Sequence, residues 1–307
     1  MNPPPSDSTE TSHDVGWTPI AEEATRAARL LHPDGTLPRP SHRRVMTVAN
    51  QKGGVGKTTS TVNLAAALAV HGLKTLVVDL DPQGNASTAL DVDHRSGTPS
   101  IYEVLIGEVT LAEASQPTEQ SPNLFCVPAT IDLAGAEIEL VSMASRESRL
   151  KEAISSEILD EIGVDYVFID CPPSLGLLTV NAMVAAQEVL IPIQCEYYAL
   201  EGLGQLLSNI ELVQQHLNRE LRVSTILLTM YDGRTKLADQ VTNEVRNHFG
   251  DTVLKTVIPR SVKVSEAPGY GQTVLAYDPG SRGAMSYVDA AKEIAERGAQ
   301  MEGSSST

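Results

Sequence analysis

The segment Gln51-Lys-Gly-Gly-Val-Gly-Lys-Thr-Thr59 sits between an apolar run at 44–50 and a long Ala-rich helical pattern at 58–71. That placement leaves the chain little freedom in how it folds. Gly53, Gly54 and Gly56 lack a Cβ, so backbone N–H groups around them can turn inward and approach an anion closely. A helix starting near Lys57 adds its own free N–H groups and its dipole. Strand, glycine loop and helix in this order are what a phosphate loop needs.

The rest of the chain repeats the strand–helix alternation. Strands are expected at 44–50, 75–79, 124–128, 166–170, 189–194, 224–230 and 256–259, with helices among others at 58–71, 175–186, 200–217, 237–249 and 282–297. Thr75-Leu-Val-Val-Asp79 and Tyr166-Val-Phe-Ile-Asp170 are apolar throughout rather than alternating, as expected of a parallel sheet covered by helices on both faces. The expected fold class is α/β, a doubly wound and mostly parallel sheet.

Residues 1–42 are set apart by composition. Proline clusters at both ends, and the first 25 residues carry five acidic and no basic side chains. A disordered, Pro-rich, acidic extension is the expectation, with a partner-binding peptide as the alternative. The folded domain is expected over 43–298, followed by a disordered tail at 299–307. The start of the chain lacks a basic, then apolar, leader pattern, and no run approaches the length of a membrane span, so a cytoplasmic protein is expected. Cys126, Cys171 and Cys195 have no metal-ligand or C-x-x-C spacing and read as small buried hydrophobes.

Lys57 is placed to reach β- and γ-phosphates, and Thr58 to offer a hydroxyl to Mg²⁺. The strict pattern G-x-x-x-x-G-K-[ST] is nevertheless broken, because Gln51 stands where its first glycine belongs and Lys52 follows. The nucleotide cradle is expected from Gly53, Gly54, Val55, Gly56, Lys57, Thr58 and Thr59. Asp170 ends an apolar strand and is expected to hold Mg²⁺, directly or through water. Asp79 and Asp81 end the strand after the loop helix. All three carboxylates should converge on the phosphates at the carboxyl ends of the strands. For Asp79, capping of a helix is the alternative.

Three motifs, Lys52-Gly-Gly-Val-Gly-Lys-Thr-Thr59, Asp79-Leu-Asp-Pro-Gln-Gly-Asn85 and Tyr166-Val-Phe-Ile-Asp-Cys-Pro-Pro173, resemble the deviant Walker A, switch I and switch II/Walker B of the ParA/Soj chromosome-partitioning ATPases. These lie within the wider ParA/MinD group of P-loop NTPases. Glu196-Tyr-Tyr-Ala-Leu-Glu-Gly202, Leu228-Thr-Met-Tyr-Asp-Gly-Arg-Thr235 and Ile258-Pro-Arg-Ser-Val-Lys-Val-Ser-Glu-Ala-Pro268 extend the resemblance across roughly residues 43–297. It implies an ATPase with ATP and Mg²⁺ as cofactors, closing as an ATP-bound homodimer in which Lys52 reaches the partner's nucleotide. Lys52 and Lys57 would act on the phosphates, Asp81 would position the attacking water and share the metal site with Thr58 and Asp170, and a ParB-type centromere-binding protein would stimulate hydrolysis.

The resemblance also implies non-specific binding of double-stranded DNA, and so a nucleoid-associated protein. A net charge of −16 argues against such binding for the chain taken whole. Residues 222–263, however, hold seven basic and four acidic side chains. Arg234 and Lys263 match basic DNA-contacting positions of the family, and Lys236 and Arg260 complete the candidate set. Ordinary solvated charges are the alternative reading. A MinD-like membrane anchor is not expected, because residues 285–307 carry two basic and four acidic side chains rather than a basic amphipathic helix. An ATPase that positions another cargo by the same mechanism remains compatible with the motifs.

Overall fold

The computed structural model describes residues 35–197 and 201–300. The expectations for residues 1–34, for position 200 of the predicted helix at 200–217, and for the tail from 301 onward lie outside the described residues.

The described residues form eight strands: β1 Arg44–Val48, β2 Thr75–Asp79, β3 Gln116–Thr118, β4 Ser121–Val127, β5 Tyr166–Asp170, β6 Glu188–Gln194, β7 Arg222–Tyr231 and β8 Val253–Pro259. They form one sheet in the order β3-β4-β2-β5-β1-β6-β7-β8. All neighbours pair in parallel except β3 and β4. The antiparallel β3 was not foreseen, because its three residues include Pro117. Proline cannot donate to a ladder and is tolerated at a sheet edge, where this strand lies.

The helices that matter for the site are α1 Lys57–Val70, α2 Asn85–Ala89, α3 Leu133–Ser142, α4 Leu177–Ala185, α5 Glu201–His216, α6 Lys236–Phe249, α7 Val262–Glu266 and α8 Arg282–Gln300. Strand side chains alternate between two cores. Leu76 and Val78 pack on the side of α3, α4, α5 and α6, whereas Val77 packs on the side of α1 and α8; Val167 and Ile169 are split from Phe168 in the same way. This two-sided burial is why the strands are apolar at every position. Helix α1 lies between the sheet and α8, and its Ala65, Ala66, Ala67 and Ala69 are all buried. A helix covered on nearly every side is expected to be apolar nearly all round.

One buried ion pair ties this layer together. Arg44, at the start of β1, donates from Nε to Glu188 Oε1 at 2.8 Å and from Nη2 to Glu188 Oε2 at 2.5 Å, while its Nη1 donates to Ile294 O of α8 at 2.8 Å. Both side chains are 1 % exposed. Two strands and a helix from the far end of the sequence thus share one guanidinium.

Residues just ahead of β1 lie on the domain as well. The Leu37 N–H donates to His71 O at 3.2 Å, the Leu37 side chain packs against the core beside α1, and Arg39 lies 3.6 Å from Asp165. Packing therefore begins ahead of the boundary drawn at residue 42. Among the described residues no helix is long and apolar enough to cross a membrane.

Candidate nucleotide site and basic face

The glycine loop is held by the two strands that follow β1 on one side of the sheet, β6 and β7. Beyond β1, Asn50 donates from its amide to Pro192 O on β6 at 2.8 Å and accepts the Lys52 N–H at 3.0 Å. From β7, Thr229 donates to Val55 O at 2.8 Å, and Val55 itself is buried. Gly54 and Gly56 have φ of 74° and 87°, a region open to glycine at no steric cost. Gly53 is different, since its φ is not positive and a Cβ built there would meet nothing within 4 Å. Packing within the chain does not demand glycine at 53, whereas close approach of an anion to the backbone would.

Lys57, Thr58, Asp81 and Asp170 are brought together at the carboxyl ends of β1, β2 and β5. Lys57 is 8 % exposed, and burial pushes its ammonium below the ordinary lysine range, opposed by Asp170, Cys171 and Asp81. Thr58 Oγ1 donates to Asp170 Oδ2 at 2.6 Å, and Thr61 Oγ1 donates to Asp170 Oδ1 at 3.1 Å. Asp170 is fully buried. Burial raises its carboxyl above the usual range, and the facing Asp79 raises it further, against the pull of the two threonine hydroxyls. The pocket therefore sets the Asp170 and Asp81 carboxylates near the buried Lys57 ammonium, with the Thr58 and Thr61 hydroxyls on Asp170. Such a donor set fits a divalent cation with oxygen ligands.

Asp79 sits opposite Asp170 in the β2–β5 register, but its acceptors are occupied. Its Oδ2 takes the Ser87 N–H at 2.8 Å and the Ser87 hydroxyl at 2.7 Å, and its Oδ1 takes the Asp81 N–H at 3.3 Å. Ser87 lies in the first turn of α2, so Asp79 satisfies a free helix donor and pins the loop between β2 and α2. The side chain is used as a helix-end anchor, the alternative noted for it. Asp81 stands inside that pinned loop, accepting the Gln83 N–H at 3.0 Å, and is 8 % exposed.

Lys52 points elsewhere. Its Nζ lies 3.7 Å from Glu196 Oε2, beyond the end of β6, and both side chains are partly exposed. The two lysines of one loop thus occupy unlike environments, Lys57 buried over the carboxylates and Lys52 at the rim. A cavity of about 220 Å³ adjoins the loop on the β7–β8 side, lined by Gly56, Thr59, Thr229, Met230, Pro259 and Arg260 among others. Met230 there has φ of 51°, a strained conformation for a residue with a flexible side chain.

The four basic residues singled out from the sequence occupy the carboxyl ends of β7 and β8, where the Arg260 N–H donates to Tyr231 O at 3.0 Å and joins the two loops. Lys236 opens α6 and is exposed. The others face carboxylates that sequence reading did not connect to them. Arg234 is bound twice by Asp232, at 2.8 and 2.7 Å; Arg260 lies 3.3 Å from Glu196; Lys263 lies 3.6 Å from Glu266. The Asp232 pairing had a local signal, a spacing of two residues. The Glu196 pairings had none, because Glu196 is more than sixty positions from Arg260 and still farther from Lys52.

Residues 43–223 match the protein family described as AAA domain. Over 255 residues the chain is 52 % identical to the sporulation initiation inhibitor protein Soj of Bacillus subtilis, spanning 83 % of this chain and 99 % of that protein. Over 254 residues it is 49 % identical to the chromosome partitioning protein ParA of Myxococcus xanthus, spanning 83 % of this chain and 88 % of that one. Among solved structures, cobyrinic acid a,c-diamide synthase from Mycobacterium smegmatis with a bound ATP analog and magnesium has a TM-score of 0.68 at 40 % identity, covering 81 % of this chain and 93 % of that chain.

Proposed function

As the chain belongs to the Soj/ParA family of chromosome-partitioning ATPases, we propose that it is an ATP-operated switch that closes into a sandwich homodimer, binds DNA without reading its sequence, and hydrolyses ATP when a ParB-type partner stimulates it. The observation that carries this reading is the division of labour between its two loop lysines. Lys57 is buried over the carboxylates of its own pocket, whereas Lys52 stands at the rim, held outward by Glu196. A cation so placed is available to a nucleotide facing it from a second subunit.

Each residue then has a distinct task. Backbone N–H groups of Gly53, Gly54, Val55 and Gly56 cradle the phosphates, and Thr59 continues that cradle into α1. Lys57 neutralises phosphate charge from a site where burial strengthens every electrostatic contact. Thr58 and Asp170 would hold Mg²⁺, which would supply positive charge beside the phosphates. Asp81, at the edge of the metal site and fixed by the loop that Asp79 anchors, orients the attacking water. The cavity of about 220 Å³ beside Gly56 receives the base. Lys52 of the partner completes the charge compensation, which makes association depend on nucleotide.

Arg234, Lys236, Arg260 and Lys263 form a basic face at one end of the sheet. Two-fold symmetry would bring two such faces onto one strip, so that an acidic chain binds DNA phosphate in the dimer and associates with the nucleoid. Sedimentation of the Lys52→Ala chain with ATP tests the dimer directly. It should remain monomeric while still binding ATP; an ATP-dependent dimer as strong as that of the unaltered chain would contradict the proposal.

A further inference from the structure

Among the described residues, Glu196 is the carboxylate that touches both the glycine loop and the basic face. Its Oε2 lies 3.7 Å from Lys52 Nζ, and its Oε1 lies 3.3 Å from Arg260 Nη2. The carboxylate is itself fixed. Gln194, the last residue of β6, donates from Nε2 to Glu196 Oε1 at 2.5 Å, and the Glu196 N–H donates to Gln194 O at 2.8 Å. The anchor belongs to the sheet, directly beside the strand from which the glycine loop springs.

We propose that Glu196 is a shared restraint, holding Lys52 and Arg260 together in the single subunit, so that dimer closure and DNA engagement each begin by taking a cation from the same carboxylate. This rests on the functional reading above and adds to it a residue that opposes both events. The restraint is of modest strength. Glu196 and Lys52 are partly exposed, so the carboxylate is readily rehydrated when its cations leave. An exposed pair of this kind changes an equilibrium by about 1.5- to 5-fold. A symmetric dimer breaks two such contacts to Lys52, so the effect on dimerisation is the square, about 2- to 25-fold.

The test uses the full chain and two readouts: ATP-dependent dimerisation by sedimentation equilibrium, and binding to a labelled duplex of arbitrary sequence across a salt series. Glu196→Gln keeps the shape and the Gln194 contact but removes the charge. It should tighten the ATP dimer by about 2- to 25-fold and raise duplex affinity most at low salt. Asp232→Asn, which frees Arg234 alone, should raise duplex affinity and leave dimerisation unchanged. Combining Glu196→Gln with Lys52→Ala should erase the gain in dimerisation that the first change gives. Dimerisation that is unchanged or weaker in Glu196→Gln overturns the inference, because the carboxylate then does not restrain Lys52. A gain in dimerisation from Asp232→Asn equal to that from Glu196→Gln also overturns it, since loss of any negative charge would suffice. An unaltered chain that shows no ATP-dependent dimer overturns the functional reading itself, and this inference with it.

Discussion

Thr58 and Asp170 are paired directly: Thr58 Oγ1, in the first turn of α1, donates to Asp170 Oδ2 at 2.6 Å. The hydroxyl and the strand-end carboxylate, 112 positions apart, are set side by side by the β1–β5 pairing. Thr61 donates to the same carboxylate, and the charges of Asp79 and Asp81 lie near enough to raise it.

If this pair holds the metal, Asp170→Ala should uncouple nucleotide binding from Mg²⁺. Binding of a fluorescent ATP analogue to the unaltered chain should weaken by at least about 10-fold when Mg²⁺ is chelated. In Asp170→Ala the affinities with and without chelator should coincide. A persistent Mg²⁺ effect in the variant would place the metal ligand elsewhere.

The same buried carboxylates make nucleotide-free stability depend on pH. Burial raises both Asp79 and Asp170; the Asp79 charge raises Asp170 further, and the Asp81 charge raises Asp79. The folded chain therefore retains protons at pH values where the unfolded chain, with ordinary carboxyls near about 4, has released them. The native state binds more protons, so stability falls as pH rises from that value through the raised folded values, and levels off above them. Thermal melts of the ligand-free chain should show Tm falling between mildly acidic and neutral pH. Saturating Mg²⁺ and ATP should reduce the slope, because a cation beside Asp170 favours the ionised form. A Tm that rises with pH in the ligand-free chain would contradict this account.

The Arg44–Glu188 pair should show the asymmetry of a buried ion pair. Glu188→Ala leaves a guanidinium buried without its partner and should cost about 3–5 kcal/mol in urea unfolding. The double change Arg44→Met with Glu188→Leu removes both charges and should cost less than the single one. Equal losses in the two would show that the pair is not a coupled unit.

The sequence made some parts of this architecture legible and hid others for physical reasons. The glycine loop between β1 and α1 could be read because such a turn is local, encoded in adjacent residues. The apolar strands β2 and β5 could be read because two-sided burial leaves a continuous signal over five residues. Helices as short as α2 and α7, of five residues each, complete too few turns to show a period, and both were missed. The role of Asp79 depends on Ser87, whose position in the first turn of α2 follows from that unseen helix. Glu196 was visible as part of a motif, yet its contact with Lys52 is made by the pairing of β1 with β6, which a linear pattern does not specify.

The central claim is that nucleotide controls attachment to DNA through the basic face. Co-sedimentation of the full chain with duplex DNA, in ATP, in ADP and without nucleotide, tests it most directly when repeated across a salt series. Retention should appear in ATP alone, fall steeply as salt rises, and vanish in Lys57→Ala and in Arg234→Glu, the latter keeping its ATP dimer. Equal retention in all three nucleotide conditions, or undiminished retention of Arg234→Glu at low salt, would contradict the account.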